Sequence, residues 1–200
     1  MKPAPNAVWH PVSVTRGDRE RRNGHRGLLL WLTGLPSAGK STLAHAVEQR
    51  LFAEGRRTFV LDGDNVRHGL CADLGFSVVE RAENLRRIGE LARLFVEAGL
   101  ITLAAFISPV AGERARLRSL FARGDFLEIY CDCPVSVCEA RDPKGMYRRA
   151  RAGEISGFTG VSSPYEIPVH PDLIVNTAQD PVDACVAKVL ELAREASALA

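Results

Sequence analysis

Residues 34–42, with the sequence GLPSAGKST, place glycine, lysine and serine at the spacing Gly-x4-Gly-Lys-Ser. Glycines at these positions let the backbone approach a ligand closely, so that successive N–H groups can point at anionic oxygens. In such a loop Lys40 reaches the β- and γ-phosphates of a nucleotide, and the Ser41 hydroxyl is a ligand of Mg²⁺. The spacing predicts a nucleotide-phosphate site formed by Gly34, Leu35, Pro36, Ser37, Ala38, Gly39, Lys40, Ser41 and Thr42.

A pair of aspartates follows the apolar run TFVLD at 58–62. Asp62 and Asp64 are two residues apart with Gly63 between them, so an extended backbone would turn both carboxylates to one side. One carboxylate could then hold the water shell of Mg²⁺ while the other accepts the proton of an attacking hydroxyl, a contribution of about 10²–10⁴ in rate. The alternative is an Asx turn that only caps the following segment.

Residues 141–153, RDPKGMYRRARAG, carry five basic side chains after a start interrupted by proline and glycine. A segment of this kind can close over phosphates as a lid, and the exclusion of water would strengthen each arginine–phosphate contact. The alternatives are a solvated helix face and a nucleic-acid patch, although no interleaved aromatic residues support the latter. We expect a lid at about 142–163.

Apolar runs and helix-period segments alternate along the chain from residue 28 onward, which is typical of a parallel sheet with helices on both faces. Ligands of such sheets bind beyond the carboxyl ends of the strands, where this chain is unusually polar. The predicted strands are 28–33, 58–62, 100–107, 126–132 and 172–176, and the predicted helices are 41–54, 79–98, 112–122, 134–141 and 181–196.

The composition suits one domain, since 46% of the 200 residues are hydrophobic. We expect that domain at 28–200, preceded by an extended, proline-containing arm at 1–27. The net charge of +2 requires neither nucleic acid nor an anionic membrane as a partner. No run is long enough for a membrane span, and no apolar core of a secretory signal is present, so we expect a cytoplasmic protein.

The five cysteines form an odd number in a chain that lacks the composition of a disulfide-rich scaffold. Cys131, Cys133 and Cys138 could be imagined as zinc ligands, but no fourth cysteine or histidine follows at a suitable spacing. We therefore expect reduced, mostly buried thiols.

Strings of residues along most of the chain together resemble adenylylsulfate kinase (APS kinase). They are GLPSAGKST, LDGDNVRHGL, DLGFS, RAENLRRIGE, AFISP, EIYCDCP, CEARDPKG and FTG, with NAVWHPVSVTR and GHRG ahead of the first strand. The resemblance implies an α/β fold of the P-loop NTPase type, in which a parallel sheet is flanked by helices on both faces and a basic lid is added.

The family transfers the γ-phosphoryl group of ATP to the 3′-hydroxyl of adenosine 5′-phosphosulfate, which yields 3′-phosphoadenosine 5′-phosphosulfate and ADP in sulfate assimilation. The resemblance therefore implies ATP and Mg²⁺ as cofactors, with Lys40, Asp62 and Asp64 in catalysis and Ser41 and Asp62 toward the metal. It also favours a homodimer and leaves association with an ATP sulfurylase open.

Several residues match the family positions that contact the acceptor nucleotide. Guanidinium forks suit two adjacent anions, and flat aromatic faces suit stacking on adenine. By this match the phosphosulfate and ribose are held by Arg67, Arg81 and Asn84, the adenine lies between Phe76 and Phe158, and the pocket edge and lid contacts are Ile107, Ser108 and Lys144.

Ser108 also matches a serine described in some relatives as a phosphoserine intermediate. Direct in-line transfer needs no such relay, and the sequence offers no obvious base to activate a Ser-Pro hydroxyl. We expect Ser108 to be part of the pocket wall.

Two segments depart from the family pattern. Relatives commonly read GIDDPYE after the lid, where this chain has Val161, Ser162 and Ser163 before Pro-Tyr-Glu. Val110 stands where a tyrosine often follows Ser-Pro. These departures concern closure of the lid and leave the phosphate loop and the substrate arginines intact.

Two other functions share the phosphate loop. A nucleotide-dependent switch would carry a guanine-reading Asn-Lys-x-Asp motif or a partner-facing domain, and the sequence has neither. A gluconate- or nucleoside-type kinase would share Lys40 and Asp62, but it would lack the set formed by Arg67, Phe76, Arg81 and Asn84.

Overall fold

The computed structural model describes residues 6–8 and 10–199, and within them five parallel strands form one sheet in the order β2-β3-β1-β4-β5. The strands are β1 (Leu28–Thr33), β2 (Thr58–Asp62), β3 (Ile101–Ala105), β4 (Phe126–Asp132) and β5 (Leu173–Asn176). The helices are α1 (Arg16–Asn23), α2 (Lys40–Ala53), α3 (Val78–Glu97), α4 (Ala111–Arg118), α5 (Val135–Arg141), α6 (Met146–Arg151) and α7 (Val182–Ala196).

The central strand β1 is buried throughout, and apolar up to Thr33, because helices cover both faces of the sheet. Leu28, Leu30 and Leu32 point into a cluster that includes buried residues of α2 and α7. Leu29 and Trp31 point to the opposite face, where buried residues of α3 and α4 pack against them. The predicted α/β architecture is therefore confirmed.

The prediction of an extended arm is wrong for residues 16–23, which form α1. Thr15 and Asp18 form a capping box at its start. Arg16 then binds the buried carboxylate of Asp125, with Nη2 2.9 Å from Oδ1. This long-range ion pair attaches the helix to the loop before β4. Part of the predicted arm, residues 1–5 and 9, lies outside the described residues.

The strand predicted at 100–107 ends at Ala105. Ala105 is the last residue of β3 with partners in both neighbouring strands, Leu32 in β1 and Asp62 in β2. Ser108 then adopts a left-handed φ of 39°, which an extended strand cannot contain. The chain leaves the sheet here and forms the loop that the resemblance assigns to the pocket wall.

The register brings four polar segments to the carboxyl edge of the sheet. Thr33 of β1 lies opposite Tyr130 of β4, and Asp62 of β2 lies opposite Ala105 of β3. The phosphate loop, the aspartates, the 106–109 loop and the residues after β4 therefore start from one edge. This is the position in which parallel sheets bind ligands.

All five cysteines are free and buried, as expected. Burial raises the pKa of the Cys131 thiol to about 12, which keeps it protonated at neutral pH. The described residues contain no cluster of three metal-binding side chains, so the zinc alternative gains no support. In the same part of the chain, no helix combines the length and apolarity needed to cross a bilayer.

His25 is buried at the amino end of the sheet and links two connections. Its Nε2 accepts a hydrogen bond from the Arg57 amide at 3.0 Å, so Nδ1 carries the proton and donates to the Arg26 carbonyl, also at 3.0 Å. Burial, together with the charges of nearby arginines, lowers the pKa of His25. The folded state therefore holds this imidazole neutral.

We predict that His25 makes the fold less stable in mild acid. Because its folded pKa is depressed, the unfolded state binds the proton first, and stability falls as pH drops below the unfolded value of about 6.5. Urea unfolding of the wild type and His25→Asn at pH 7.5 and 5.5 measures this, with the exposed His45→Asn as control. A pH dependence that is the same in wild type and His25→Asn would contradict the assignment.

Candidate active site

The phosphate loop between β1 and α2 needs both of its glycines. A Cβ on Gly34, whose φ is 153°, would lie 2.7 Å from the Cys131 carbonyl oxygen. Gly39 has a left-handed φ of 86° and precedes α2 without a side-chain cap. The amides of the first helical turn therefore have no acceptor within the helix and are available to anionic oxygens.

Lys40 is buried inside this loop, with 7% of its surface exposed. Its Nζ donates to the carbonyls of Gly34 at 2.9 Å and Leu35 at 2.6 Å. Burial lowers the pKa of Lys40 to about 8, partly offset by neighbouring thiols and aspartates. The ammonium is thus largely desolvated and held by two neutral acceptors, which an anion could replace.

The extended backbone that would turn Asp62 and Asp64 to one side is not present. The backbone leaves the extended conformation after Asp62, and Asp64 lies in the right-handed helical region with ψ −44°. Asp62 is buried, and its Oδ1 accepts a hydrogen bond from the Asp64 amide at 2.9 Å. The Asx-turn alternative therefore describes Asp62, and Asp64 is exposed on the following turn.

The oxygen atoms near the loop fit a magnesium ion that keeps much of its water shell. The Ser41 hydroxyl is exposed at the start of α2, and the turn after β2 fixes the Asp62 carboxylate. The described residues form no cage of three metal-binding side chains. This agrees with Mg²⁺, which one or two protein oxygens and the nucleotide phosphates usually hold.

Arg67 and Phe76 lie together on the segment between β2 and α3. The Arg67 guanidinium carbon is 4.3 Å from the centre of the Phe76 ring, and Nη1 donates to the carbonyls of Leu74 and Gly75, both at 3.0 Å. Phe76 is 68% exposed, so one face of a large aromatic ring is open to a ligand.

Arg81 and Asn84 are one turn apart on α3 and share a face. Arg81 donates to the Gly157 carbonyl at 3.0 Å, which joins α3 to the loop that carries Phe158. Burial and the neighbouring charge of Arg67 lower the pKa of Arg81. Asn84 is buried, and its Nδ2 has no hydrogen-bond partner in the described part of the chain.

The segment predicted as a lid contacts both the phosphate loop and the aspartates. Lys144 forms an ion pair with Asp64. Tyr147 on α6 donates its hydroxyl to the Pro36 carbonyl at 3.1 Å. The Ser162 hydroxyl, which stands where relatives have an acidic residue, accepts a hydrogen bond from the Phe158 amide at 3.0 Å and closes the 158–163 turn.

Phe158 is less accessible than its expected stacking role requires. It is 7% exposed and packs edge-on against Tyr147, with ring centres 5.1 Å apart. Phe76, by contrast, is 68% exposed. Phe158 therefore belongs to the apolar core of this face, and only Phe76 presents an open ring.

Ser108 is buried beside β1, in the loop that follows β3. Trp31 donates to its hydroxyl at 3.0 Å, and that hydroxyl donates to Thr33 at 2.9 Å. Thr33 in turn donates to the Ile107 carbonyl at 2.8 Å, which fixes the half-buried Ile107. Only 2% of Ser108 is exposed, so a nucleotide could not approach its oxygen without rearrangement.

Comparison with known proteins identifies the family. The family model described as adenylylsulphate kinase matches residues 26–176. The chain belongs to the adenylylsulphate kinase family. The adenylyl-sulfate kinase of Acaryochloris marina is 57% identical over 190 residues, 95% of this chain and 93% of that one. The corresponding protein of Geotalea daltonii is 56% identical over 190 residues, 95% and 94% of the two chains.

A solved member of the adenylylsulphate kinase family has the same fold. The APS kinase of Mycobacterium tuberculosis in complex with AMPPNP and APS superposes with a TM-score of 0.80 at 48% identity. The match covers 84% of this chain and 97% of that one. The P-loop kinase fold predicted from the sequence is therefore confirmed.

In the present chain, three residues that the sequence analysis did not predict contact the site. Arg114 donates to the Ser108 carbonyl, Tyr165 is hydrogen-bonded to Thr33, and Thr177 donates to the Ala38 carbonyl of the phosphate loop. Tyr165 and Thr177 lie 132 and 139 residues from their partners, whereas Arg114 lies six residues from Ser108, and none of the three carries a motif of its own. Only the position of Thr177, directly after a predicted strand, could have indicated a place at this edge.

We predict that Ser108→Ala keeps its activity but loses stability. The Trp31 indole would lose its buried acceptor, at a cost of about 1–3 kcal/mol. Thermal unfolding and steady-state rates measure the two effects, and the exposed Ser119→Ala is the control. An inactive Ser108→Ala protein with an unchanged melting temperature would instead indicate a covalent role.

Proposed function

We propose that this chain transfers the γ-phosphoryl group of ATP to the 3′-hydroxyl of adenosine 5′-phosphosulfate, forming ADP and 3′-phosphoadenosine 5′-phosphosulfate. The observation that carries the proposal is the pair formed by Arg67 and Arg81. Burial and the nearby charge of Arg67 lower the pKa of Arg81, yet in the described residues neither arginine forms an ion pair, and both donate to backbone carbonyls. Two adjacent arginines without carboxylates suit a dianionic ligand.

Family membership supports the same acceptor. In the transfer, the 3′-oxygen attacks the γ-phosphorus, the bond from phosphorus to the β–γ bridging oxygen breaks, and ADP leaves. The hydroxyl proton passes to a carboxylate, for which Asp62 and Asp64 are the candidates. The turn after β2 fixes the Asp62 carboxylate, whereas the Asp64 carboxylate forms an ion pair with Lys144.

Lys40 and the amides of the phosphate loop would hold the β- and γ-phosphates of ATP. Ser41 and Asp62 would hold Mg²⁺, which neutralises charge on the phosphates when it is bound. Because phosphoryl transfer passes through a loose transition state, positioning and charge stabilisation by these groups contribute more than the base does.

Arg67, Arg81 and Asn84 would hold the phosphosulfate and ribose of the acceptor. Each arginine would exchange a carbonyl for an anionic oxygen, and the unpartnered Asn84 amide would gain an acceptor. The exposed Phe76 offers a face to the adenine. Phe158, on the other side, would have to move away from Tyr147 to stack on it.

The segment 142–163 would act as the lid of a single kinase domain at 28–200. Lys144 would leave Asp64 for the nucleotides when the lid closes. Ile107 and Ser108 would form the fixed wall opposite, since their hydrogen bonds tie them to β1. Water excluded by closure cannot compete for the phosphoryl group.

We also propose that the protein is a cytoplasmic homodimer, on the basis of family resemblance. Analytical ultracentrifugation of the purified chain measures the oligomeric state. Docking of an ATP sulfurylase is a separate question, which co-sedimentation of the two proteins can decide.

The acceptor can be identified by a panel of hydroxyl compounds. The protein is incubated with MgATP and either adenosine 5′-phosphosulfate, gluconate, or a nucleoside, and ADP release is measured. We expect release that depends on adenosine 5′-phosphosulfate alone. Stimulation by gluconate or a nucleoside instead would overturn the proposal.

We predict that Arg81→Ala weakens use of the acceptor. Loss of a charged hydrogen bond of about 1.5–3 kcal/mol corresponds to a rise of roughly 10- to 100-fold in the KM for adenosine 5′-phosphosulfate. Arg93→Ala, on the same helix with a surface ion pair to Glu90, is the control. An unchanged KM in Arg81→Ala would show that Arg81 does not bind the acceptor.

A further inference from the structure

Arg114 on α4 is buried and holds three separate elements together. It is 4% exposed, and its Nε lies 2.7 Å from Glu128 Oε1 on β4. Its Nη1 donates to the Ser108 carbonyl at 2.7 Å, and its Nη2 donates to the Glu166 carbonyl at 2.7 Å. A guanidinium has the fixed fork that two carbonyl acceptors and a carboxylate at these positions require, which a lysine cannot supply.

The segment whose Glu166 carbonyl accepts a hydrogen bond from Arg114 lies just after the proposed lid. The Glu166 amide donates to the Pro109 carbonyl at 2.9 Å, and its carboxylate accepts from the Ala111 amide at 2.6 Å. Tyr165 is hydrogen-bonded to Thr33 at 2.9 Å, one residue before the phosphate loop. Residues 165–166 are thus the point at which the chain leaving the lid is fixed to the sheet; we name them the lid anchor.

Ser108, on the other side of Arg114, holds a strained conformation. Its φ of 39° is sparsely populated for a residue with a side chain, so surrounding contacts must maintain it. The Trp31 indole donates a hydrogen bond to the Ser108 hydroxyl, and Arg114 donates one to the Ser108 carbonyl. Arg114 therefore stabilises the pocket wall and the lid anchor with the same side chain.

We propose that Arg114 is a positioning residue that fixes the lid anchor against the pocket wall and so sets where the acceptor nucleotide lies relative to the phosphate loop. This inference rests on the proposed function for its kinetic consequence. Arg114 acts through Ser108 and Glu166, and with 4% of its surface exposed it offers little contact to a nucleotide. Its loss should affect the acceptor, which the wall and lid enclose, more than ATP, which the phosphate loop holds.

Two variants separate positioning from the burial of charge. Arg114→Lys keeps a positive charge near Glu128 but cannot reach both carbonyls. The double variant Arg114→Met/Glu128→Gln removes both charges, so no unpaired ion is left inside the protein. Arg118→Lys is the matched control, because Arg118 lies on the same helix and near Glu128 but donates to Phe126 and Asp172 instead.

Steady-state kinetics with each nucleotide varied, well below the melting temperature, provide the first readout. We expect the KM for adenosine 5′-phosphosulfate to rise about 10- to 100-fold in both variants, as misplacement of a bound reactant does. The dissociation constant of an unreactive ATP analogue should stay within about twofold of the wild type. Arg118→Lys should match the wild type in both quantities.

Limited trypsin digestion provides a second readout that does not depend on turnover. Arg148, Arg149 and Arg151 on α6 are exposed cleavage sites within the proposed lid. We expect faster cleavage there in both Arg114 variants than in Arg118→Lys. If the wild type shows no turnover of adenosine 5′-phosphosulfate, the proposed function fails. The cleavage rates would still show whether Arg114 fixes the lid anchor.

Other results would overturn the positioning role. Equal losses for acceptor and ATP analogue would show a general loss of structure. A lowered melting temperature with unchanged KM and cleavage rates would show that Arg114 serves only the stability of the fold.

Discussion

A buried ammonium at the carboxyl edge of the sheet is the interaction on which the site depends. Lys40 is enclosed by the loop that it serves, and two carbonyls of that loop are its hydrogen-bond partners. Burial lowers its pKa to about 8, so the folded protein holds a charge that it solvates poorly. A triphosphate would supply the missing counter-charge, which makes the loop selective for anions. The glycines at 34 and 39 are required because this enclosure leaves no room or suitable backbone angle for other residues.

The remaining cations around the site follow the same rule. Arg67 and Arg81 donate to carbonyls, and Lys144 pairs with the exposed Asp64. The carbonyls that the arginines contact are weaker acceptors than a phosphate or sulfate, and the Lys144–Asp64 pair is exposed to solvent, so a ligand can exchange with each of them at modest cost. A second set of contacts need not be replaced by a ligand. In this set, Trp31, Ser108 and Thr33 form a buried chain of hydrogen bonds. The site thus combines cations whose contacts a ligand can replace with a buried hydrogen-bond chain that stays in place.

Much of this arrangement was predictable from the sequence, and the exceptions have physical causes. The strand bounds at 28–33, 58–62 and 126–132 are confirmed. For β1 and β4 the cause is that mostly apolar runs report burial on both faces of a sheet. The relation between Asp62 and Asp64 was mistaken because a turn at Gly63 replaces the extended backbone. Helix α1 was missed because its stabilising partner, Asp125, lies about 100 residues away. Arg114 was missed because its partners lie on three different segments of the chain, one of them 52 residues away, and no local pattern records such a set of contacts.

Proton uptake on nucleotide binding tests the role of the buried ammonium most directly. Isothermal titration of an unreactive ATP analogue at pH 9, in two buffers with different ionisation enthalpies, measures the number of protons taken up. With a pKa of about 8, Lys40 is mostly neutral at pH 9 in the free protein and becomes charged beside a phosphate. The account predicts uptake close to one proton per nucleotide, which Lys40→Met abolishes. Binding at pH 9 without proton uptake would contradict it.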